Sequence, residues 1–330
     1  PTHKMLHNAA FSAIAYVAVI IVASTVIVFA SNRIDCPFDA PVPLKASPLA
    51  YGIDGPYFML IFFCRAVGLS FLLCSVRNAF KNAKHILWKS VLLFLAAIIL
   101  VMAVRQGVWA VGHLYTSLAL KFRIWQAMIW SIPEQEVAKV KMALDVGCGR
   151  GLGIVLLAKR LISIQGSSAN ATLYGIDIWQ SFDQANNAMN HTLQNTELEG
   201  VSHLIRLQTA DARTLPFLAD SMELVISSLT IHNILEPKMF TDEARLERNI
   251  ALAEIVRVLK PGGLVSIWDF VADTYADYFR QNPLMQNVTE TPLRTFGLWD
   301  TYLVTARKRL SLLGGDGKYV HDINSKDLII

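Results

Sequence analysis

The sequence predicts an α/β fold in which a sheet of seven strands carries helices on both faces, preceded by an N-terminal region of apolar helices. Two observations predict the sheet: short apolar runs alternate with helical spacings from residue 140 onward, and glycines follow the first such run. The apolar helices are predicted by long stretches without charge in the first third of the chain.

The first strand of this sheet leads directly into a glycine-rich loop. Apolar residues alternate over 140–146, Leu144 to Gly153 reads Leu-Asp-Val-Gly-Cys-Gly-Arg-Gly-Leu-Gly, and Ile154 to Leu161 opens a helix. Glycine allows close approach of a ligand to the backbone, and a helix N-terminus adds N–H donors. A nucleotide-like ligand is therefore predicted.

A nicotinamide dinucleotide is a weaker prediction for this loop. The dinucleotide fingerprint requires Gly-x-Gly-x-x-Gly, whereas Leu152 or Ile154 occupies the place of the third glycine, depending on where counting starts. A nicotinamide-dependent reductase is accordingly disfavoured.

The spacing Asp145-x-Gly147-x-Gly149-x-Gly151 resembles the first motif of class I S-adenosylmethionine (SAM)-dependent methyltransferases, in particular their small-molecule, type 11-like branch. Four further segments agree with this family in order. They are a second strand ending in Asp177 (172–178), a third strand followed by Asp211-Ala212 (204–215), a fourth strand (222–229) followed by Thr230-Ile231-His232-Asn233, and a helix end with Pro-Gly-Gly and a fifth strand (254–267).

The resemblance, which covers residues 140–308, implies a Rossmann-like sheet, SAM as cofactor and a set of binding residues. In the family, the acid in the place of Asp177 binds the ribose hydroxyls, and the residues in the place of Asp211-Ala212 contact the adenine. The implied cofactor-binding residues are Asp145, Gly147, Cys148, Gly149, Gly151, Asp177, Ile178, Asp211, Ala212 and Ser227.

His232 and Asn233 are the candidate catalytic residues, because substrate and methyl donor meet after the fourth strand in this family. An imidazole there can accept a proton from a substrate O–H or N–H. The alternative is that His232 only hydrogen-bonds neighbouring backbone. Cys148, between two glycines, is interpreted as a small filler, since nothing nearby in sequence would lower its pKa.

The remaining elements complete the sheet. Helical spacing over 186–199 and 244–259 predicts helices that cover it, and a further helix starts at 274–279. A sixth strand is predicted at 291–298 and the last at 301–308. The tail, 311–330, has little periodicity and is expected to be flexible.

The first third of the chain predicts a membrane anchor. The chain is 53% hydrophobic and 17% charged, with mean hydropathy +0.40, which is too apolar for an ordinary soluble enzyme. Spans are predicted at 7–30, 57–76 and 86–104. An interfacial or re-entrant segment at 107–125 follows and ends in the basic and aromatic stretch Lys121 to Trp125. The anchor is thus assigned to 1–132 and the methyltransferase domain to 133–310.

Arg65 near the middle of the second span costs roughly 2.5–3.5 kcal/mol on insertion scales, so it should face another helix, water or the interface. Lys and Arg near the three span ends divide evenly, and the orientation of the N-terminus stays open. SAM is a cytosolic metabolite, which puts the expected catalytic domain in the cytosol.

The hexapeptide Tyr51-Gly52-Ile53-Asp54-Gly55-Pro56 resembles a segment of membrane-anchored methyltransferase-domain proteins; otherwise it is a Gly/Pro turn at a membrane boundary. The four cysteines have no zinc-site spacing, so no metal is expected, and a net charge of +4 without a basic stripe gives no case for nucleic acid. The sequence therefore predicts an integral membrane methyltransferase acting on a small, amphipathic or lipid-like acceptor. The alternative is a SAM-binding membrane scaffold or sensor without turnover. The oligomeric state is not predicted.

Overall fold

The computed structural model describes residues 43–310 except 167–168, 182–183, 236–237, 239, 271 and 295–299, together with a few helical positions between 17 and 25. The predicted span 7–30 lies mostly outside these residues, as do the tail 311–330 and the end of the predicted sixth strand.

A seven-stranded mixed sheet in the order β3-β2-β1-β4-β5-β7-β6 forms the centre of the molecule. β7 runs antiparallel to both of its neighbours, and the pairs among the first five strands are parallel. This confirms the predicted seven-stranded sheet. The strands are β1 (Met142–Val146), β2 (Thr172–Asp177), β3 (Ile205–Thr209), β4 (Met222–Ser228), β5 (Leu259–Asp269), β6 (Met285–Arg294) and β7 (Asp300–Lys308).

One of these strands differs from its prediction. β6 begins at Met285, six residues before the expected start at 291. The segment that precedes the expected start, Gln286 to Glu290, is polar enough to read as a loop, but it pairs with β7 across a bulge between Gln286 and Thr289.

Helices cover both faces of the sheet because its strands bury side chains on both sides. Leu224 and Ile226 belong to one hydrophobic cluster, whereas Val225 between them belongs to the other, as the alternation of a strand requires. α5 packs in the first cluster, and α7 and α8 pack in the second. The helices of this part are α4 (Glu134–Lys139), α5 (Leu152–Gln165), α6 (Met189–Leu198), α7 (Asp242–Val258) and α8 (Ala272–Gln281).

Two long apolar helices precede the sheet and pack against each other as an antiparallel hairpin. They are α1 (Pro56–Asn82) and α2 (Ile86–Tyr115), which contact through Phe62 and Trp109 with ring centroids 4.9 Å apart. Both are long and apolar enough to cross a membrane. Their most apolar 18-residue windows are only 28% and 11% buried, so most of this apolar surface has no protein covering among the described residues.

The second long helix continues past the predicted span into the α/β core. A π-helical turn (Thr116–Leu120) joins α2 to α3 (Lys121–Ser131) without a break, giving one helix of 46 residues. Lys121 and Trp125 are buried, and Trp125 packs edge-on against Trp268 of β5 at 4.5 Å. This corrects the expectation that Lys121 to Trp125 lies on a membrane surface: its apolar face instead belongs to the hydrophobic core of the sheet.

Residues before α1 are also fixed to the α/β core, through Glu199 at the end of α6. Its fully buried carboxylate accepts hydrogen bonds from Ala46 N (2.9 Å) and the Tyr51 hydroxyl (3.2 Å) and forms an ion pair with Lys159. Burial disfavours the charged carboxylate, but these donors outweigh it and hold the pKa of Glu199 below its usual value. The chain therefore contacts the α/β core both before and after the hairpin.

Candidate active site

The glycine loop after β1 lies at the carboxyl edge of the sheet, where ligands bind in open α/β folds. Gly147 N and Cys148 N donate to the carbonyl of Ile176 in β2 at 2.8 and 2.9 Å, which fixes the loop to its neighbouring strand. Gly147 has φ +71°, and a Cβ there would lie 2.2 Å from Thr230 Oγ1. Only glycine fits this position.

Asp145, in β1, presents a buried carboxylate to this edge. The carboxylate accepts a hydrogen bond from Ile154 N at the start of α5. Burial, and then repulsion by the nearby carboxylate of Asp177, raises the pKa of Asp145 to about 8. The site is therefore short of positive charge around Asp145.

Asp177 closes β2 and is bound to the glycine loop. Its Oδ2 accepts from Gly149 N at 2.9 Å, and its Oδ1 accepts from Trp179 N (2.6 Å) and Asn187 Nδ2 (3.2 Å). Burial nevertheless raises the pKa of this carboxyl. Ile178 N is a further backbone donor to this carboxylate.

Asp211 follows β3 and is held by an arginine that the sequence did not single out. Arg213 Nη2 and Nε donate to the Asp211 carboxylate at 2.6 and 3.1 Å, and Arg213 also binds Glu247 of α7 at 2.7 Å. Hydrogen bonds from Arg213 lower the pKa of Asp211. The carboxylate is thus ionised and fixed beside the cavity described below.

His232 stands at the end of β4 and forms a dyad with Asp269 at the end of β5. The ring Nδ1 hydrogen-bonds Asp269 Oδ1, and His232 N donates to Asp269 Oδ2 at 3.1 Å. Asp269 is fully buried and also accepts from Phe270 N (2.8 Å) and Tyr275 Oη (3.3 Å). The imidazole is therefore oriented by a carboxylate rather than by backbone, leaving Nε2 as the other ring nitrogen.

These side chains surround one cavity of about 830 Å³. All predicted cofactor residues line it except Gly151 and Ser227, and so do His232 and Asn233. The volume lies within the range of about 300–1,000 Å³ typical of small-molecule sites. Among the described residues, no group of three or more His, Cys, Asp or Glu side chains is arranged to hold a metal ion.

Two of the predicted cofactor residues face away from the cavity. Ser227 Oγ donates to Val146 O at 2.9 Å inside the sheet, and the next residue, Ser228, lines the cavity instead. Successive strand residues point to opposite faces, so a shift of one position reverses the side. Gly151 precedes α5 and lies against Thr192 of α6.

Cys148 lines the cavity, but its side chain is a protonated thiol rather than a nucleophilic thiolate. Burial, followed by the negative charges of Asp145 and Asp177, raises its pKa well above the usual value. The thiolate is therefore scarce at neutral pH, in keeping with the interpretation of Cys148 as a small filler.

The hexapeptide before α1 forms part of the cavity wall, which the sequence did not predict. Asp54 pairs with the buried Lys121 of α3 (Nζ to Oδ2, 3.3 Å) and accepts from Gln184 Nε2 at 3.1 Å. Gln184 in turn accepts from Arg150 N in the glycine loop at 2.8 Å. One polar chain thus joins the hairpin to the cofactor loop.

The cavity continues from this junction along the apolar hairpin. Its wall includes one face of the start of α1 and the end of α2, in addition to the strand ends. The lining residues from the hairpin are Tyr57, Phe58, Ile61, Phe62, Arg65 and His113.

Gly147→Ala tests the close fit between the glycine loop and Thr230. We expect a larger fall in melting temperature than in Gly166→Ala, because both glycines have positive φ but only Gly147 has a neighbour in the way. A left-handed alanine alone costs about 1–2 kcal/mol. Thermal unfolding of the two variants makes the comparison, and equal losses would contradict the steric argument.

Comparisons with known proteins agree with this geometry. Residues 144–267 match a family described as "Methyltransferase domain". An uncharacterized protein of Haemophilus influenzae is 29% identical over 193 residues, which are 57% of this chain and 68% of that protein. A demethylmenaquinone methyltransferase of Staphylococcus aureus is 28% identical over 143 residues, 43% of this chain and 48% of that protein, so the match spans about half of its length.

Among solved structures, a SAM-dependent methyltransferase from Aquifex aeolicus is similar with 15% identity and a TM-score of 0.37, over 54% of this chain and 88% of that one. The family match begins in β1 and ends in β5, and so it contains the glycine loop, Asp177, Asp211 and His232. The chain thus carries a class I SAM-dependent methyltransferase domain, and SAM is its cofactor.

Proposed function

We propose that this chain is a membrane-anchored methyltransferase that transfers a methyl group from SAM to a small amphipathic or lipid-like acceptor. The observation that carries this proposal is the continuity of the cavity. It reaches from Asp145 and Asp177 at the strand ends to the aromatic face of α1 in the apolar hairpin.

The cofactor end of the cavity is chemically suited to SAM. Asp177 can accept from ribose hydroxyls, as the family resemblance implies, and Asp145 supplies negative charge for a cationic ligand. The backbone of the loop at Gly147 and Gly149 can approach the ligand closely because neither residue carries a Cβ. When bound, SAM supplies an activated methyl group on its sulfonium, and alignment is the main task left to the protein.

His232 is proposed as the base that takes a proton from the acceptor. Asp269 fixes the ring through Nδ1, so Nε2 is the nitrogen that can accept a proton from an acceptor O–H or N–H. The buried Asp269 then stabilises the imidazolium that forms. Asn233 lines the same wall and can orient the acceptor by hydrogen bonding.

Exposed apolar surface supports a membrane anchor. Phe94 and Val101 of α2 are 67% and 68% exposed, and Ile86 is 77% exposed. A core helix of a soluble protein would bury such side chains, whereas lipid covers them without cost. The hairpin thereby concentrates the enzyme where amphipathic acceptors partition, which favours an acceptor of that kind.

Binding of SAM is expected to release a proton from Asp145. With its pKa near 8, Asp145 is mostly protonated at pH 7, and a bound cation favours the ionised form. Affinity should then rise with pH up to about 8 and level off. Calorimetric titration at pH 7 in buffers of different ionisation enthalpy should count about one proton from this group.

Asp145→Asn should lose that proton release, and Asp211→Asn should keep it, because Arg213 already holds Asp211 ionised. The amino group of SAM contributes equally in all three proteins. The same release from Asp145→Asn as from the unaltered protein would exclude Asp145 as the titrating group.

Methyl transfer is tested with labelled SAM and a total membrane lipid and metabolite extract. We expect a labelled product from the full chain and none from Asp177→Ala, which lacks the carboxylate that links the loop and the ribose. Asp242→Ala, an exposed acid on α7, is the matched control and should stay active. Binding of SAM without any labelled product would favour a SAM-binding membrane scaffold or sensor instead.

His232→Gln is expected to reduce the rate of labelling about 10²–10⁴-fold while leaving the affinity for SAM unchanged, since a positioned base contributes that much. His203→Gln replaces an exposed histidine before β3 and should have no effect. If His232→Gln labels the acceptor at the normal rate, the acceptor needs no base and His232 is not catalytic.

A further inference from the structure

Arg65 lies inside the apolar helix α1, yet it lines the same cavity as the cofactor loop. It shares one helical face with Tyr57, Ile61, Phe58 and Phe62, because these residues follow each other at spacings of three and four. At 1.5 Å per residue, the helix carries this face about 12 Å from Tyr57 to Arg65. The cavity wall is therefore apolar over that length and ends in a guanidinium group.

The charge of Arg65 has no counter-ion within the described part of the chain. α1 contains no acidic residue, and no hydrogen bond or ion pair joins Arg65 to another described residue. Two neighbouring cations differ from Arg65: Lys121 is paired with Asp54, and Arg105 lies 5.5 Å from the Trp109 ring centroid. The Arg65 side chain is exposed, so its guanidinium group is accessible to a ligand. Ionisable residues within apolar spans commonly mark a site of function.

The acids of the cavity lie away from Arg65, at the strand ends. Asp145, Asp177 and Asp211 line the strand-end part of the cavity together with Arg150 and Arg248, and the charge of Asp54 is balanced by Lys121. Arg150 donates to the carbonyl of Ala185, and Arg248 also has a partner within the protein, whereas Arg65 has none among the described residues. Arg65 is therefore the cation of this wall that remains available to an anionic ligand group. An anionic group bound there places the rest of the ligand along the apolar wall formed by α1.

We propose that Arg65 binds an anionic group, a phosphate or carboxylate, of the methyl acceptor. The acceptor is then an anionic amphiphile in which an apolar segment lies along Tyr57, Phe58 and Ile61 and directs the reactive end toward His232. Arg65 is a specificity residue in this arrangement. The inference rests on the proposed function and narrows its acceptor class.

Octyl phosphate is a suitable probe, since it joins a phosphate to an apolar chain of about this length. Its binding to the full chain in dodecyl maltoside is measured by titration calorimetry, with protein-free micelles as the blank. Octyl glucoside serves as the neutral counterpart and inorganic phosphate as the anion without a chain. We expect octyl phosphate to bind more tightly than either.

Arg65→Gln should weaken octyl phosphate binding about tenfold or more, because a charge-assisted hydrogen bond is lost. It should leave octyl glucoside binding unchanged, and Arg65→Lys should restore part of the affinity. Arg105→Gln is the matched control. Arg65 follows Phe62 by three residues and Arg105 precedes its partner Trp109 by four, so both cations lie at the same level of the hairpin. Arg105 does not line the cavity.

If Arg65→Gln and Arg105→Gln weaken octyl phosphate binding equally, the inference is overturned. Such a result would indicate that anions are attracted to both arginines of the hairpin by charge alone. Equal affinity for inorganic phosphate and octyl phosphate would contradict the proposal that the ligand carries an apolar segment. Full labelling of the extract by Arg65→Gln would also overturn the inference and leave the proposed methyl transfer intact. Selective octyl phosphate binding without labelled product would support the anion site and contradict the proposed enzyme activity.

Discussion

The buried ammonium group of Lys121 is the interaction on which the site depends. It donates to the carbonyls of Tyr51 (3.1 Å) and Gly52 (2.6 Å) and pairs with Asp54, so a cation with 2% side-chain exposure is fully compensated. Compensation requires the hexapeptide to bend at Gly52 and turn its carbonyls inward. The bend brings Gln184 against the glycine loop and places the first turn of α1 over the cavity. Removal of this one charge would take a donor from two carbonyls and one carboxylate.

The cavity has two parts that are lined by different kinds of side chain. Near the strand ends, burial raises the pKa of Asp145 and Asp177, and the nearby charge of Asp177 raises the pKa of Asp145 further, which favours a cation. Along the hairpin, aromatic side chains and Arg65 favour an apolar molecule with negative charge. Under the proposed function, the cationic methyl donor binds at the strand ends and the anionic group of the acceptor binds at the hairpin. His232 lines the same cavity.

Most of the sheet and the cofactor end were predictable, because their signals are local. The strand, acid and glycines around Asp145 follow one another in sequence, and the same holds for Asp177. Asp269 is also a strand-terminal acid, but only the fold shows that it meets His232. The contacts of Asp54 with Lys121 and Gln184 join residues more than 60 positions apart, and no periodicity encodes them. The Lys121 to Trp125 stretch was misjudged because an amphipathic helix looks alike beside lipid and beside a protein core.

The π-helical turn at Thr116–Leu120 has a mechanical consequence. This turn contains one residue more than an α-helical turn, which rotates the following side chains by about 100° around the helix axis. The same continuous helix therefore presents apolar side chains outward before the turn and inward after it. This continuous helix of 46 residues is about 70 Å long, and no linker interrupts it. The distance between the apolar hairpin and the cavity at the strand ends is therefore set by a count of helical residues. Under the proposed function, an acceptor bound along the hairpin would be methylated only at an atom that reaches this distance from it.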